Sequence, residues 1–170
     1  MENAALHYLG RFASSAENLR QVLMRRVVRS ARFHDTDPEE GRTFVDDIIE
    51  RYIRAGLLND GAFAEARAAD LHRRGTPVMG IRYRLKQRGV GEADVERALD
   101  ALAQDLDGRD TDQAAAWAFA RRRRLGPFRG DDPAIRAEYR EKDMAALARA
   151  GFDYDTARRV ADAADPDWSA

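Results

Sequence analysis

The sequence contains no cysteine, which excludes disulfide bonds, a thiol nucleophile and thiolate metal ligands. Its three histidines, His7, His34 and His72, are far apart and lack the spacing of a helical metal site. We therefore expect surface or interfacial histidines. Neither a glycine-rich phosphate-binding loop nor a Gly-x-Ser-x-Gly turn occurs. These absences predict a protein that is not an enzyme and that has no catalytic residue, cofactor or metal.

Long apolar runs are also missing. No stretch approaches the roughly 20 apolar residues that cross a bilayer, and the N-terminus lacks the basic start and apolar run of a secretory signal. The lack of cysteine suits a reducing compartment. We expect a soluble, monomeric protein of the bacterial cytoplasm with no membrane partner.

Apolar residues recur at helical spacing and predict nine helices and no strand. The first helix, from about Glu2 to Phe12, is expected to place Leu6, Leu9 and Phe12 on one side. Predicted helix starts are Ser14 with Glu17 as a capping box, Asp37-Pro38, Asn59-Asp60, Thr76-Pro77, Thr111 and Asp132-Pro133. Residues assigned to the apolar stripes of later helices include Phe44, Ile53, Ile81, Leu85, Ile135 and Tyr154.

A sixteen-residue segment occurs twice, as LKQRGVGEADVERALD from Leu85 and as LARAGFDYDTARRVAD from Leu147. Such self-similarity indicates a repeat architecture. We expect an all-α fold of three tandem three-helix repeats, stacked into an elongated array that is straight or curved. The predicted repeats are residues 1–57, 58–109 and 110–165, with insertions at about 29–40 and 128–139 and a flexible tail at 166–170.

Charge alternates in sign along the chain, and the middle repeat contains the longest basic stretch. From Leu71 to Gly91 there are six bases and no acid. On a helix, these bases would form two ridges able to neutralise phosphates or to meet an acidic protein surface. Ordinary charge balance on solvated helices explains the alternation equally well. Tyr83, among these bases, would either stack on a nucleobase or pack in the core or at its rim.

The segment from Gly56 to Val90 resembles the central signature of the RecX family of recombinase regulators. The matching residues are Gly56, Leu57, Leu58, Asp60, Phe63, Ala64, Arg82, Leu85, Arg88, Gly89 and Val90. The N-terminal stretch ALHYLGRFASSAENLRQVL is similar to the opening helix pair of that family. Asn59 stands where the family has the first of two aspartates, and Val27 stands where it has a glycine.

The resemblance implies a non-enzymatic modulator that binds the RecA filament, with single- or double-stranded DNA as a further partner. Such a protein would inhibit recombinase, ATPase and filament-extension activity, and so modulate recombination, DNA repair and the SOS response. The alternatives are a nucleic-acid-binding helical module that acts without RecA and a helical-repeat adaptor. The candidate contact residues are Arg25, Arg26, Arg73, Arg74, Arg82, Arg84, Lys86, Arg88, Arg121, Arg122, Arg123 and Arg124.

Overall fold

Nine α-helices form where apolar residues recur at helical spacing, and the described residues contain no β-strand. The structure is a computed structural model that describes residues 1–34, 37–130 and 132–165. The helices are α1 (Glu2–Leu9), α2 (Ala16–His34), α3 (Pro38–Arg54), α4 (Asp60–Arg73), α5 (Val78–Gln87), α6 (Glu92–Asp105), α7 (Thr111–Arg123), α8 (Pro133–Ala150) and α9 (Tyr154–Ala161), with a 3-10 turn at Gly126–Phe128. The predicted all-α fold is confirmed. The predicted tail at 166–170 lies outside the described residues.

Aspartate side chains begin several helices by accepting a hydrogen bond from an N–H in the first turn. This arrangement is found at Asp37, Asp110, Asp132 and Asp153. The predicted starts at Asp37-Pro38 and Asp132-Pro133 are therefore confirmed. In both, proline follows the cap and supplies a backbone angle suited to the first helical position.

Two predicted caps are wrong by one residue. The α2 cap is Ser15, whose Oγ accepts from the Asn18 N–H at 3.1 Å, while the Ser14 hydroxyl donates to the Ser15 carbonyl oxygen. The α7 cap is Asp110, which accepts from the Gln113 N–H at 2.9 Å. A carboxylate is the stronger acceptor, so Asp110 takes the role that the sequence suggested for Thr111.

The apolar face of α1 also differs from the prediction. The helix ends at Leu9, and Ala5 is its buried residue, whereas Leu6 and Phe12 are 48% and 54% exposed. Other stripe residues that are about half exposed or more are Phe44, Ile53, Ile135 and Tyr154. Each lies at the edge of the apolar stripe of its helix. Because the helix packs against one neighbouring layer, only part of its circumference is buried.

The chain divides into two compact units. The first comprises Met1–Ala66 with Leu85–Arg97. Its core forms where α2 packs on α3, with α1 against α2. The core residues are Ala5, Ala16, Leu19, Leu23, Val27, Val45, Ile48, Ile49, Tyr52 and Leu58. The α2 and α3 residues recur three or four positions apart, so this unit follows directly from the predicted helical spacing.

The second unit comprises Arg67–Arg84 and the chain from Ala98 onward. Its core lies among α7, α8, α9 and the 3-10 turn, and consists of Ala115, Ala116, Trp117, Ala120, Leu125, Leu147, Phe152, Ala157 and Val160. One carboxylate is also buried here. Asp143 is 1% exposed, accepts from the Gly126 N–H at 2.8 Å and pairs with Arg129. This aspartate therefore holds the 3-10 turn and the residue after it against α8.

Both predicted insertions include helical residues. Helix α2 contains 19 residues and α8 contains 18, whereas α5 contains 10. The first insertion lengthens α2 at its C-terminal end, and the second supplies the first turns of α8. The added turns of α2 carry both basic and apolar side chains.

One type of contact occurs once in each unit. The Ala16 N–H donates to Asp60 at 2.8 Å in the first unit, and the Val78 N–H donates to Asp112 at 2.7 Å in the second. Ala16 and Val78 are 62 residues apart, as are Leu85 and Leu147 of the repeated segment. In each case an aspartate near the start of one helix caps the N-terminus of an earlier helix. A stacked repeat would produce this pairing, and the division into three repeats stays a prediction.

Among the described residues, no helix combines the length and the apolar character that a membrane crossing requires.

Candidate functional site

The twelve predicted contact residues lie on or immediately after α2, α4, α5 and α7. All are exposed except Arg82, which is half-buried. These bases differ in whether another side chain of the protein already pairs with their charge.

The α2 cluster begins after a structural arginine. Arg20 donates to Asp46 and Glu17, at 2.7 Å in each case, and these hydrogen bonds raise its pKa, that to Asp46 most. Arg25 and Arg26, one turn and more further along, are exposed and have no carboxylate within ion-pair distance among the described residues. Their charges are thus available to a partner.

Arg73 and Arg74, at the end of α4, share one carboxylate. Their guanidinium groups lie 3.6 and 3.1 Å from Asp70, and their side chains are 70% and 63% exposed. Exposed pairs of this kind contribute about 0–1 kcal/mol. A partner carrying phosphate or carboxylate groups would therefore displace Asp70 at little cost.

The bases of α5 are less available than the sequence suggests. Lys86 lies 2.5 Å from Glu92, and Arg88 donates to the Asn18 side chain at 3.3 Å. Arg84 is exposed and has no such partner in the described part of the chain. Tyr83 is 65% exposed, so it does not pack in the core. Core packing of this tyrosine is therefore excluded, whereas packing at the rim and stacking on a nucleobase are both compatible with its exposure.

Two arginines of the run at the end of α7 lie over aromatic rings. The guanidinium of Arg121 lies 5.6 Å from the ring centre of Phe128, and that of Arg123 lies 5.8 Å from the ring centre of Phe119. Arg124 ends the helix in a left-handed conformation, with φ 56°. The helix end alone would favour one or two of these positive charges.

A pocket of about 440 Å³ adjoins this run. Arg123 and Arg149 line it together with Phe119 and Leu125. Its combination of two guanidinium groups with an aromatic and aliphatic floor suits a ligand that is both flat and anionic. Arg149 was not among the predicted site residues. The signal for it is weak in the sequence, since Arg149 is a lone base in the last turn of α8.

The described histidines, His7 and His72, belong to no cluster of metal ligands. Among the described residues, no group of three or more His, Asp or Glu side chains converges as metal ligands would. His72 is buried, and its Nε2 lies 2.9 Å from the Thr111 carbonyl oxygen, which is a structural role. His7 is exposed, and the side chain of His34 lies outside the described residues.

These features define an all-helical protein whose distinctive surface consists of basic clusters. A family model described as "RecX, second three-helix domain" matches residues 59–99. These residues include α4, α5 and the first part of α6, and they lie within the predicted second repeat. No solved structure matches the chain.

Curated relatives match nearly the whole chain. A Myxococcus xanthus protein named Regulatory protein RecX is 40% identical over 95% of this chain and 84% of its own length. Proteins of that name from Agrobacterium fabrum and Halorhodospira halophila are 28% and 30% identical, over 93% and 98% of this chain and 79% and 89% of their own lengths. The chain belongs to the RecX family of regulatory proteins, and the predicted resemblance is confirmed.

Proposed function

We propose that this protein binds the RecA recombinase or its DNA filament and inhibits recombinase, ATPase and filament-extension activity. By this proposal it acts in the cytoplasm without catalysis, and it modulates recombination, DNA repair and the SOS response. The observation that carries the proposal is the 40% identity to a protein named Regulatory protein RecX over 95% of the chain. Regulation by binding is favoured by exposed charges without internal partners, and Arg25, Arg26 and Arg84 are of this kind in the described part of the chain.

The mechanism follows from charge. A RecA–DNA filament presents phosphates and acidic side chains, so its groove attracts exposed guanidinium groups over the Debye length of about 8–10 Å. Arg25, Arg26 and Arg84 have no carboxylate partner in the described part of the chain. The Arg121–Arg124 run adds a second concentration of charge. Contacts from several helices at once would hold the protein across neighbouring RecA subunits and so oppose addition or movement of subunits.

The decisive experiment measures the DNA-dependent ATPase of RecA with increasing amounts of this protein. In parallel, its binding to DNA alone is measured across a salt series from about 50 to 200 mM. We expect ATPase inhibition at concentrations well below the dissociation constant for bare DNA. Inhibition that begins only where the protein coats DNA would contradict a RecA-directed role.

Charge reversal locates the contact. The triple change of Arg82, Lys86 and Arg88 to Glu should abolish ATPase inhibition if the middle repeat makes the main contact. A matched triple reversal of Arg42, Arg54 and Arg97 changes the net charge equally. These three arginines are exposed and already paired with carboxylates. We expect the control variant to inhibit as the unmodified protein does.

The Arg121–Arg124 run provides a separate arm of that experiment, with all four residues changed to Glu. Loss of inhibition in this variant alone would assign the contact to α7 and not to α5. Helicity measured by circular dichroism must stay the same in each variant for the comparison to hold. Unchanged inhibition in both variants, at equal helicity, would show that neither cluster makes the contact.

A second candidate function is binding of single-stranded nucleic acid without RecA. The pocket lined by Phe119, Arg123 and Arg149 favours it, because bases stack on aromatic side chains while arginines neutralise the adjoining phosphates. Stacking of one base contributes about 1–3 kcal/mol. The change Phe119→Leu should then weaken binding of an oligo-dT strand about fivefold or more. If RecA inhibition stays normal in that variant, the two activities are separable.

A further inference from the structure

The second half of α2 carries four arginines and no acid. Arg25, Arg26, Arg29 and Arg32 follow one another within little more than two turns, and no Asp or Glu occurs between Asn18 and His34. None of the four has a carboxylate partner in the described ranges 1–34, 37–130 and 132–165. Arg51 of the same unit, by contrast, pairs with Glu2. The positive charge here is therefore concentrated and uncompensated.

Two adjoining grooves run along this part of α2 and share Arg25 and Arg29. One groove, of about 680 Å³, has Met1, Ala4, Val22 and Phe33 among its lining residues. The other, of about 550 Å³, includes Met24 and Val28. We call these two grooves together the α2 groove. Each has an apolar floor beside a ridge of guanidinium groups.

The apolar part of the α2 groove is accessible. Phe33 is 78% exposed, Val28 is 44% exposed and Met1 is 40% exposed. Val22 and Phe33 lie about three turns apart on one face of α2, whereas Val28 lies on the other side of the arginine ridge. Large exposed apolar side chains of this kind are typical of surfaces that a partner covers. Methionine and arginine are also both enriched at protein interfaces. Ordinary solvation of a helix accounts for the arginines but not for the apolar side chains between them.

The chemistry of the groove selects among its possible occupants. A second copy docked face to face would bring the arginines of both copies together, which charge repulsion opposes. The phosphates of a nucleic acid would pair with the arginines, but the aliphatic side chains of Val22, Met24 and Val28 would have no apolar partners. An amphipathic helix with acidic flanks satisfies both, since it offers apolar side chains at helical spacing and carboxylates beside them.

We propose that the α2 groove binds an acidic amphipathic helix of a protein partner. The groove residues from Gln21 to Phe33 span about 18 Å of helix, which matches roughly three turns of a bound helix. Carboxylates on the bound helix pair with Arg25 and Arg29, and its apolar stripe rests on Val22 and Phe33, which line the larger groove together. This inference goes beyond the proposed function, because it holds for any protein that presents such a helix.

The test uses a fluorescent synthetic peptide of about 18 residues, with leucines at helical spacing and glutamates beside them. Two control peptides keep its length. One is a scrambled version without the apolar stripe, and the other has every Glu replaced by Gln. Fluorescence anisotropy gives the dissociation constant for each peptide. We expect micromolar binding of the first peptide and binding about tenfold weaker, or more, for both controls.

Protein variants assign the binding to the groove. The double variant Arg25→Glu/Arg29→Glu should weaken peptide binding about tenfold, and Phe33→Ser about threefold or more. A control with the same change in net charge as the first, Arg54→Glu/Arg97→Glu, should stay within about twofold of the unmodified protein, because both arginines already pair with carboxylates. All five side chains are exposed, so each variant is expected to fold, and its melting temperature checks this.

Two outcomes would overturn the inference. Equal binding of the scrambled and amphipathic peptides would show that charge alone attracts the ligand. Absence of peptide binding, together with loss of oligo-dT binding in Arg25→Glu/Arg29→Glu, would make the groove a nucleic-acid surface. RecA takes no part in these measurements, so their result is independent of the test of the proposed function.

Discussion

Replacing Gly75 with alanine should destabilise the protein much more than the same change at Gly56. Both glycines follow a helix and have a left-handed backbone, with φ +77° at Gly75 and +72° at Gly56. Any L-residue in that conformation costs about 1–2 kcal/mol, so both variants carry this penalty. The surroundings differ. A Cβ at position 75 would lie 2.5 Å from the Cα of Phe119, whereas nothing lies within 4 Å at position 56.

The crowding at Gly75 cannot be relieved by rotating a side chain, because the nearest atoms belong to the backbone of α7. The α4–α5 turn and α7 would have to move apart, and overpacking of this kind costs about 1–3 kcal/mol. We expect a total loss of about 2–5 kcal/mol for Gly75→Ala and about 1–2 kcal/mol for Gly56→Ala. The difference is large against the roughly 5–15 kcal/mol that stabilises a typical protein.

Urea unfolding followed by far-ultraviolet circular dichroism measures this difference. With a slope of about 2 kcal/mol per molar urea, 2 kcal/mol moves the midpoint by about 1 M. Adding Phe119→Ala to Gly75→Ala should not restore stability, since the contact is with the main chain. Equal midpoints for the two glycine variants, or rescue by Phe119→Ala, would refute the reasoning. Displacement of Phe119 would also disturb the pocket that it lines with Arg123.

Three further predictions concern carboxylates. In urea titrations, Asp143→Ala should cost about 3 kcal/mol, because it leaves the partly buried Arg129 guanidinium and the buried Gly126 N–H without their acceptor. The matched change Glu141→Ala, at a side chain that is 85% exposed in the same helix, should cost less than about 0.5 kcal/mol. Asp60→Ala and Asp112→Ala should each cost about 1 kcal/mol, and clearly unequal losses would argue against equivalent caps. A hydrogen bond from Arg140 lowers the pKa of Asp162 below its ordinary 3.8, so its stabilising effect is present above pH 3.8 and is lost as pH falls through the folded-state pKa. Thermal melts of Asp162→Asn should therefore depend less on pH in that acidic range than melts of the unmodified protein.

Much of the fold is predictable because its determinants are local. Asp-Pro pairs begin α3 and α8, and both Ile81 and Leu85 of α5 are fully buried as their spacing predicted. These signals operate within one helical turn, where sequence distance and spatial distance agree. The same locality explains why the repeated segment marks the end of one helix and the start of the next.

The errors have long-range causes. The orientation of α1 depends on which small residue fits against α2, and Ala5 does so where the larger Leu6 was predicted. Asp143 resembles any other aspartate of a charged helix, and its burial becomes apparent only when Arg129 and the 3-10 turn fold back onto α8. No periodicity in the sequence encodes either contact.

The predicted interface shows the same limit. The sequence predicted that Lys86 and Arg88 are free. In the structure, Lys86 pairs with Glu92 across a turn, and Arg88 donates to Asn18, which is 70 residues away in the chain. That Arg149 and Arg123 line one pocket was not predicted, because the two arginines lie on different helices. Local sequence predicts where charge is placed along a helix, but only the tertiary structure determines whether that charge is already occupied.

Comparison of the repeated segments therefore points to a different residue from the one that the sequence favoured. Lys86, Gln87 and Arg88 in the first copy correspond to Ala148, Arg149 and Ala150 in the second. Charge alone suggests that the first copy binds more strongly. Lys86 and Arg88, however, already interact with other side chains, whereas Arg149 has no carboxylate partner in the described part of the chain and lines a pocket. We therefore expect a partner to contact Arg149 of the second copy more than Lys86 or Arg88 of the first.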